Sequence, residues 1–423
     1  MLTSELYNYF KESNSVSTDT RSIKKGSIFF ALKGDNFDGN KFAEQAIKDG
    51  ASYAVIDDNS LSHPKFLKVK DSLESLQELA KLYRSKLLKT KIIALTGSNG
   101  KTTTKELITE VLKTKFKISS TLGNLNNHIG VPLTLLKIDP LADFAVIEMG
   151  ANHINEIKFL TELVNPDFGL ITNFGKAHLE GFGNLQGVIK GKSELYDFLI
   201  SNNKTAFINN DDEIQKKYIG KKISFGKSDQ NNYKFEEVLN GMYSGIKFKD
   251  QLLNSKLTGN YNFNNIAFAT LIGLHFNIPV SEIKKSISEY NPINNRSQII
   301  EINNKSIVLD AYNANPSSMS SSVQSFNKLN GSKTILLGDM FELGKESEKE
   351  HFDLISLCIR NKYENIFLIG LEFFKHKNNF DIPFFYKTKK ELINHFKKTP
   401  ITSKHILIKG SRGMKMEDLI NYI

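Results

Sequence analysis

The apolar run Lys91 to Thr96 and the amphipathic run Lys101 to Lys113 enclose Thr96-Gly97-Ser98-Asn99-Gly100-Lys101-Thr102-Thr103. Gly97 and Gly100 let backbone N–H groups approach phosphate oxygens with no Cβ in the way. A helix opening at Lys101 adds the partial positive charge of its N-terminus. Lys101 can bridge β- and γ-phosphates, Thr102 can offer a hydroxyl to Mg²⁺, and Ser98, Asn99 and Thr103 complete the cradle. The loop is a variant of the usual phosphate-binding string, because Leu95 rather than glycine stands five residues before Gly100. The chemistry it suggests is nucleotide binding.

Further polar residues fall where apolar runs end. Glu148 closes Val146-Ile147-Glu148-Met149-Gly150, and a carboxylate at such a strand end can hold a metal beside phosphates. His178 follows Ile171-Thr172-Asn173-Phe174-Gly175-Lys176-Ala177 in a polar loop, where a lone histidine is more often an ordinary surface residue. Lys192, in Gly191-Lys192-Ser193-Glu194, lies inside an amphipathic helix pattern and by itself signals only solvation. Gly259-Asn260-Tyr261-Asn262-Phe263-Asn264-Asn265 supplies more asparagines than helix capping needs. Asp310-Ala311-Tyr312-Asn313-Ala314-Asn315-Pro316 ends a strand pattern, and its amides suit the amide and carboxylate groups of a peptide. Pro316 sets the first turn of the helix that follows.

These residues need a scaffold. From Lys91 onward the chain alternates strand, turn and helix. Strands are predicted at 91–96, 144–149, 168–173 and 205–209, and helices at 101–113, 153–163, 186–200 and 262–274, with antiparallel strands inserted at 234–257. After Asn291-Pro292 a second alternating unit begins. Its predicted strands are 299–302, 306–310, 334–337, 365–369 and 405–408, and its helices start at Pro316, Glu348, Lys390 and Met416. Before residue 87, short strand runs such as 27–32 and 53–56 mix with helices at 40–49 and 73–88. The expectation is an α/β protein of three domains: a small N-terminal α/β module at 1–86, a central parallel-sheet domain at 87–291, and a C-terminal Rossmann-like domain at 292–423. Two doubly wound units in series place the site in the cleft between them.

Composition narrows the class. The formal net charge of +10 is scattered, and the densest basic segment, Lys387 to Lys398, carries Glu391 and apolar residues at helical spacing. It reads as a solvated helix face, so no nucleic-acid partner is expected. One cysteine, Cys358, rules out a disulfide framework or a multi-cysteine zinc site. Met1 to Phe10 has no basic segment followed by an apolar core, and no apolar run is long enough to span a membrane. A cytoplasmic, monomeric protein that is not membrane-embedded is expected.

Taken together, these strings resemble the Mur ligase family, ATP-dependent amide-forming enzymes of peptidoglycan precursor synthesis. Asp19-Thr20-Arg21, Thr96 to Thr103, Leu122 to Asn127, Glu148-Met149-Gly150, Ala177-His178-Leu179-Glu180, Asp310 to Pro316, Gly338 to Gly344 and Lys409-Gly410-Ser411-Arg412 carry the likeness in the family's order. Tyr261 stands where many relatives have His, and Asn294-Asn295 where they often have Pro-Gly. The resemblance implies a uridine-nucleotide module at the N-terminus, with ATP and two Mg²⁺ ions as cofactors. UDP-N-acetylmuramoyl-tripeptide and D-alanyl-D-alanine would be the substrates. It implies Lys101, Lys192 and His178 as catalytic residues, with Lys192 carried as a carbamate. Gly97 to Thr103, Asn262, Asn265, Arg296 and Asp310 would hold ATP; Thr102, Glu148, His178 and Lys192 would serve the metals. Thr20, Arg21, Asn126, Tyr312, Asn313 and Asn315 would meet the substrates. Two alternatives stand beside it: another ligase of the superfamily, such as the step adding the third residue or a folylpolyglutamate synthase, and a nucleotide-binding relative without catalysis.

Overall fold

The computed structural model describes residues 1–293 and 295–423, so Asn294 lies outside the described residues. Its architecture is α/β, built on three parallel or mostly parallel sheets in series. The N-terminal sheet has four parallel strands in the order Ser15–Ser17, Ser27–Phe30, Tyr53–Ile56, Phe66–Lys68. Helix Ser72–Lys86 follows, capped by Asp71, whose carboxylate accepts from the Glu74 amide at 2.8 Å. This helix fastens the first sheet to the second. Arg84 donates to the carbonyls of Val164 and Asn165, each at 2.9 Å, and Tyr83 donates to that of Ile138 at 2.7 Å.

The central sheet has seven parallel strands in the order Tyr233–Lys234, Lys222–Gly226, Thr205–Asn209, Phe168–Ile171, Lys91–Thr96, Phe144–Glu148, Ile118–Ser120. Helices cover both faces, so its inner strands bury nearly every residue and read as unbroken apolar runs. The strand order reverses at Lys91–Thr96: the next central strands flank it on opposite sides and leave a crevice at its C-terminal end. A three-stranded antiparallel sheet, Glu236–Asn240, Tyr243–Phe248 and Gln251–Thr258, leads into helix Phe263–His275. The C-terminal sheet orders six strands as Gln298–Ile302, Lys305–Asp310, His405–Lys409, Lys333–Gly338, Asn365–Ile369, Phe384–Tyr386, with only the first pair antiparallel.

Several boundaries differ from expectation for physical reasons. The strand expected to run to Asn173 ends at Ile171, because the next residues turn to bond the phosphate loop. The helix expected from His153 starts at Glu156, where Asn155 adopts φ +73°. The expected C-terminal helix is a 3₁₀ segment, Met416–Tyr422. Helices Gly130–Leu135 and Val280–Glu289 were not legible. The first is buried on all sides and contains Pro132 in its first turn, so it shows no amphipathic period.

Candidate active site

The phosphate loop is held rigidly before any ligand arrives. Strand Lys91–Thr96 delivers Gly97, whose φ of +146° suits glycine, and Gly100 at φ +77° precedes helix Lys101–Lys113. The segment after strand Phe168–Ile171 clamps the loop from one side. Thr172 Oγ1 and Asn173 Nδ2 donate to the Asn99 carbonyl at 2.6 and 2.9 Å, and Ser98 Oγ bonds the Gly175 carbonyl at 2.8 Å. Asn265 clamps it from the other: Thr104 Oγ1 donates to Asn265 Oδ1 at 2.9 Å, while Asn265 Nδ2 donates to Asn262 Oδ1 at 2.7 Å. A Cβ at Gly97 would collide with Thr172 Oγ1, and one at Gly100 with Asn265 Oδ1. Gly97→Ala should therefore store about 1–3 kcal/mol of strain in the loop. Its ADP affinity, measured by calorimetry, is expected to fall about 5- to 140-fold, since each 1.4 kcal/mol is tenfold. Wild-type affinity in that variant would contradict the rigid loop.

A cavity of about 920 Å³ opens above this loop between the central and C-terminal sheets. Ser98, Asn99, Gly100, Lys101, Thr102 and Thr103 line its floor, with Asn126, Glu148 and His178 from neighbouring strand ends. Asn262 and Asn265 border it, and Arg296, Asp310, Tyr312 and Asn313 face them from the C-terminal domain. Gly97 lies beneath rather than in the lining. Lys101 Nζ donates to the Gly97 carbonyl at 2.8 Å. Burial pushes the Lys101 pKa down, Arg296 adds to that, and Glu148 opposes it. Glu148 is 2% exposed; its Oε1 accepts from Asn126 Nδ2 at 2.8 Å, whereas its Oε2 is buried with no partner among the described residues. An orphaned carboxylate oxygen beside a phosphate loop is the donor a hard cation needs.

The other expected residues are placed differently. Lys192, fully buried in helix Leu185–Ser201, is not in the cavity lining; its Nζ has no hydrogen-bond partner among the described residues and sits 5.3 Å from the Phe182 ring centre. Burial, reinforced by Lys101, holds its pKa well below the ordinary lysine range, against the pull of Glu156 and Glu194. Asn315 caps helix Pro316–Asn327 by accepting from the Ser318 amide, and its Nδ2 donates to Asn99 Oδ1 at 2.7 Å, joining the C-terminal domain to the phosphate loop. Thr20 and Arg21 stand in a turn of the N-terminal domain, where Arg21 is largely exposed and pairs with Asp19 at 2.7 Å.

Sequence reasoning gave Lys409, Tyr261, Glu194 and Glu342 no role, and it did not foresee the contacts that hold Arg296 and His178. Lys409, nearly fully buried, ion-pairs with Asp310 across adjacent strands. Arg296 lies over the Tyr312 ring, its Cζ 3.5 Å from the ring centre. Tyr261 is half-buried in the cavity wall; burial pushes its hydroxyl up to about 12, so it stays protonated beside Ser297. Glu194 accepts from the amides of Asn155 and Lys158 at 2.6 and 2.8 Å, capping the neighbouring helix from outside. His178 Nδ1 meets Glu342 of the C-terminal domain at 2.5 Å, and the bond to His178 holds the Glu342 pKa below the usual carboxylate range.

Fold and site together define a phosphate-loop nucleotide enzyme whose pocket closes between two α/β domains. The chain belongs to the Mur ligase family: residues 12–84 match its catalytic domain model, 95–273 its middle domain and 295–412 its glutamate ligase domain. It is similar to the UDP-N-acetylmuramoyl-tripeptide–D-alanyl-D-alanine ligase of Bacillus subtilis, 35% identical over 422 residues covering 96% of this chain and 92% of that protein. The enzyme of the same name from Haemophilus influenzae is 34% identical, with 96% of this chain and 92% of that protein covered. Among solved structures, MurF from Acinetobacter baumannii superposes with a TM-score of 0.89 at 28% identity, covering 99% of this chain and 97% of that one.

Proposed function

We propose that this chain is an ATP-dependent ligase that joins D-alanyl-D-alanine to UDP-N-acetylmuramoyl-tripeptide, giving the pentapeptide, ADP and phosphate. The observation that carries the reading is the shared cavity, where a rigid phosphate loop and Glu148 face Arg296, Asp310 and Tyr312 of a second α/β domain. The full-length likeness to ligases of that name supports the choice of substrates. A peptide carboxylate is a poor electrophile, so the reaction needs activation. A carboxylate oxygen of the tripeptide attacks the γ-phosphorus of ATP and ADP leaves. The dipeptide amine then attacks the acyl carbon, and phosphate leaves as the amide forms.

In this reading Lys101 and the loop amides hold the phosphates and favour charge on the transferring group. Asn262, Asn265, Arg296 and Asp310 place the rest of the nucleotide, with Lys409 fixing the Asp310 carboxylate. Asn126, Tyr312 and Asn313, which line the cavity, and Asn315, which bonds Asn99 beside it, would meet the peptides. Thr20 and Arg21 belong to the domain that takes the uridine diphosphate. Domains spanning 1–86, 87–291 and 292–423 divide the work, and contact of the third with the second keeps water from the acyl phosphate. Among the described residues no three His, Cys, Asp or Glu side chains form a metal cluster. Two Mg²⁺ sites would then draw on the Thr102 hydroxyl, Glu148, His178 and a carbamate on Lys192, along with phosphate oxygens. Magnesium bound there would neutralise charge on the phosphoryl oxygens.

No helix among the described residues is long and apolar enough to cross a membrane. We read the enzyme as cytoplasmic, because it draws on ATP and a nucleotide-linked substrate, and as a monomer. Phosphate release is expected with UDP-N-acetylmuramoyl-tripeptide, ATP and D-alanyl-D-alanine together, and not when D-alanine replaces the dipeptide. Equal release with D-alanine, or release with a shorter muramoyl peptide and a diamino acid, would overturn the assignment.

A further inference from the structure

The string Gly338 to Gly344 carries two acids, and the fold uses them in opposite ways. Asp339 is buried; its two oxygens accept from the amides of Glu372 and Phe373, each at 3.0 Å. The Met340 amide donates to His351 Nε2 at 3.1 Å. Asp339 and His351 thus anchor the segment within the C-terminal domain. Glu342 points the other way, leaving its own domain to meet His178 Nδ1 at 2.5 Å. The Glu342 carbonyl also accepts from the Glu180 amide at 3.1 Å, so backbone and side chain both grip the same central-domain loop.

Both partners hold unusual backbone. Glu342 has φ +61° and His178 has φ +52°, left-handed values that non-glycine residues adopt at a cost. Such strain persists only where the surroundings over-determine it. Here the result is a side-chain contact between domains, at a histidine that lines the cavity. We infer that Glu342 is a positioning residue: it takes Nδ1–H of His178, fixing the ring's tautomer and leaving Nε2 for the cation held with ATP. Carboxylates that bond a ligating histidine in this way fix ring orientation and raise its basicity, and their removal typically weakens metal affinity or activity about 10–100-fold. The C-terminal domain would then complete the metal site only when docked. This inference rests on the proposed nucleotide site, and its test separates the two.

Glu342→Gly is the informative variant, because glycine relieves the positive φ while deleting the carboxylate. The melting temperature is expected to stay level or rise. Mn²⁺ affinity of the full chain with ATP, read from the free-ion EPR signal, is expected to fall about 10–100-fold. Glu342→Gln, which keeps an acceptor oxygen, should fall between that variant and the wild type. Wild-type Mn²⁺ affinity in Glu342→Gly overturns the inference, as does a loss matched by a lowered melting temperature. A wild-type chain that takes up no Mn²⁺ with ATP overturns the nucleotide-site reading itself.

Discussion

Lys101→Ala is expected to lower ligation by at least about 10³-fold, the upper range for removing one preorganised charge partner of a transition state. The structure separates this effect from folding. Among the described residues Lys101 Nζ bonds only the Gly97 carbonyl of its own loop, and burial already disfavours its charged form. Deleting a half-buried cation whose pKa is held down removes a desolvation cost, so the melting temperature should be unchanged or raised. The loop keeps its shape because Thr172, Asn173 and Asn265 hold it, not Lys101. Initial rates beside thermal melts check both halves. Ligation within tenfold of wild type would refute the assigned role.

The second large effect is expected at Lys192. An ammonium with no hydrogen-bond partner, fully buried against Phe182, is costly to hold charged. Its depressed pKa makes the neutral amine accessible, and a neutral amine is the form that adds to CO₂. The adduct exchanges a positive charge near Lys101 for a negative one, which Lys101 attracts. Lys192→Ala should lose about 10²–10³-fold in turnover and regain part of it with formate or acetate. The sign of the pH effect follows from the direction of the shift. In CO₂-free buffer the unfolded chain binds the proton that the folded chain rejects, so wild-type stability rises with pH relative to Lys192→Ala up to the ordinary lysine range. Absence of carboxylate rescue would count against the carbamate, and a stability difference falling with pH would count against the buried amine.

How much of this was legible in the sequence depends on the range of the contacts. Strands Tyr53–Ile56, Lys91–Thr96, Thr205–Asn209 and Asn365–Ile369 were readable end to end, because each is an apolar run bounded by charged or turn residues. The phosphate loop was readable because its chemistry is local: two glycines, a lysine and a helix start within eight residues. Glu148 followed from its place at a strand end. Lys192 did not, since helical spacing cannot distinguish a solvated lysine from one buried without a partner. The His178–Glu342 contact joins residues 164 apart, and the Asn99–Asn315 bond residues 216 apart, so no window of sequence contains either. Asn262 and Asn265 were expected at the nucleotide. They do border the cavity, but their amides bond Thr258, Ser297, Thr104 and each other, a use that residue type alone could not disclose.

The oxygen that leaves with phosphate reports directly on whether the tripeptide acid is activated by phosphorylation. With both oxygens of the terminal carboxylate of UDP-N-acetylmuramoyl-tripeptide labelled as ¹⁸O, turnover with ATP and D-alanyl-D-alanine should place one ¹⁸O in each phosphate released, read by ³¹P NMR. Unlabelled phosphate alongside pentapeptide would mean that the carboxylate never attacked ATP, and activation through an acyl phosphate would be contradicted.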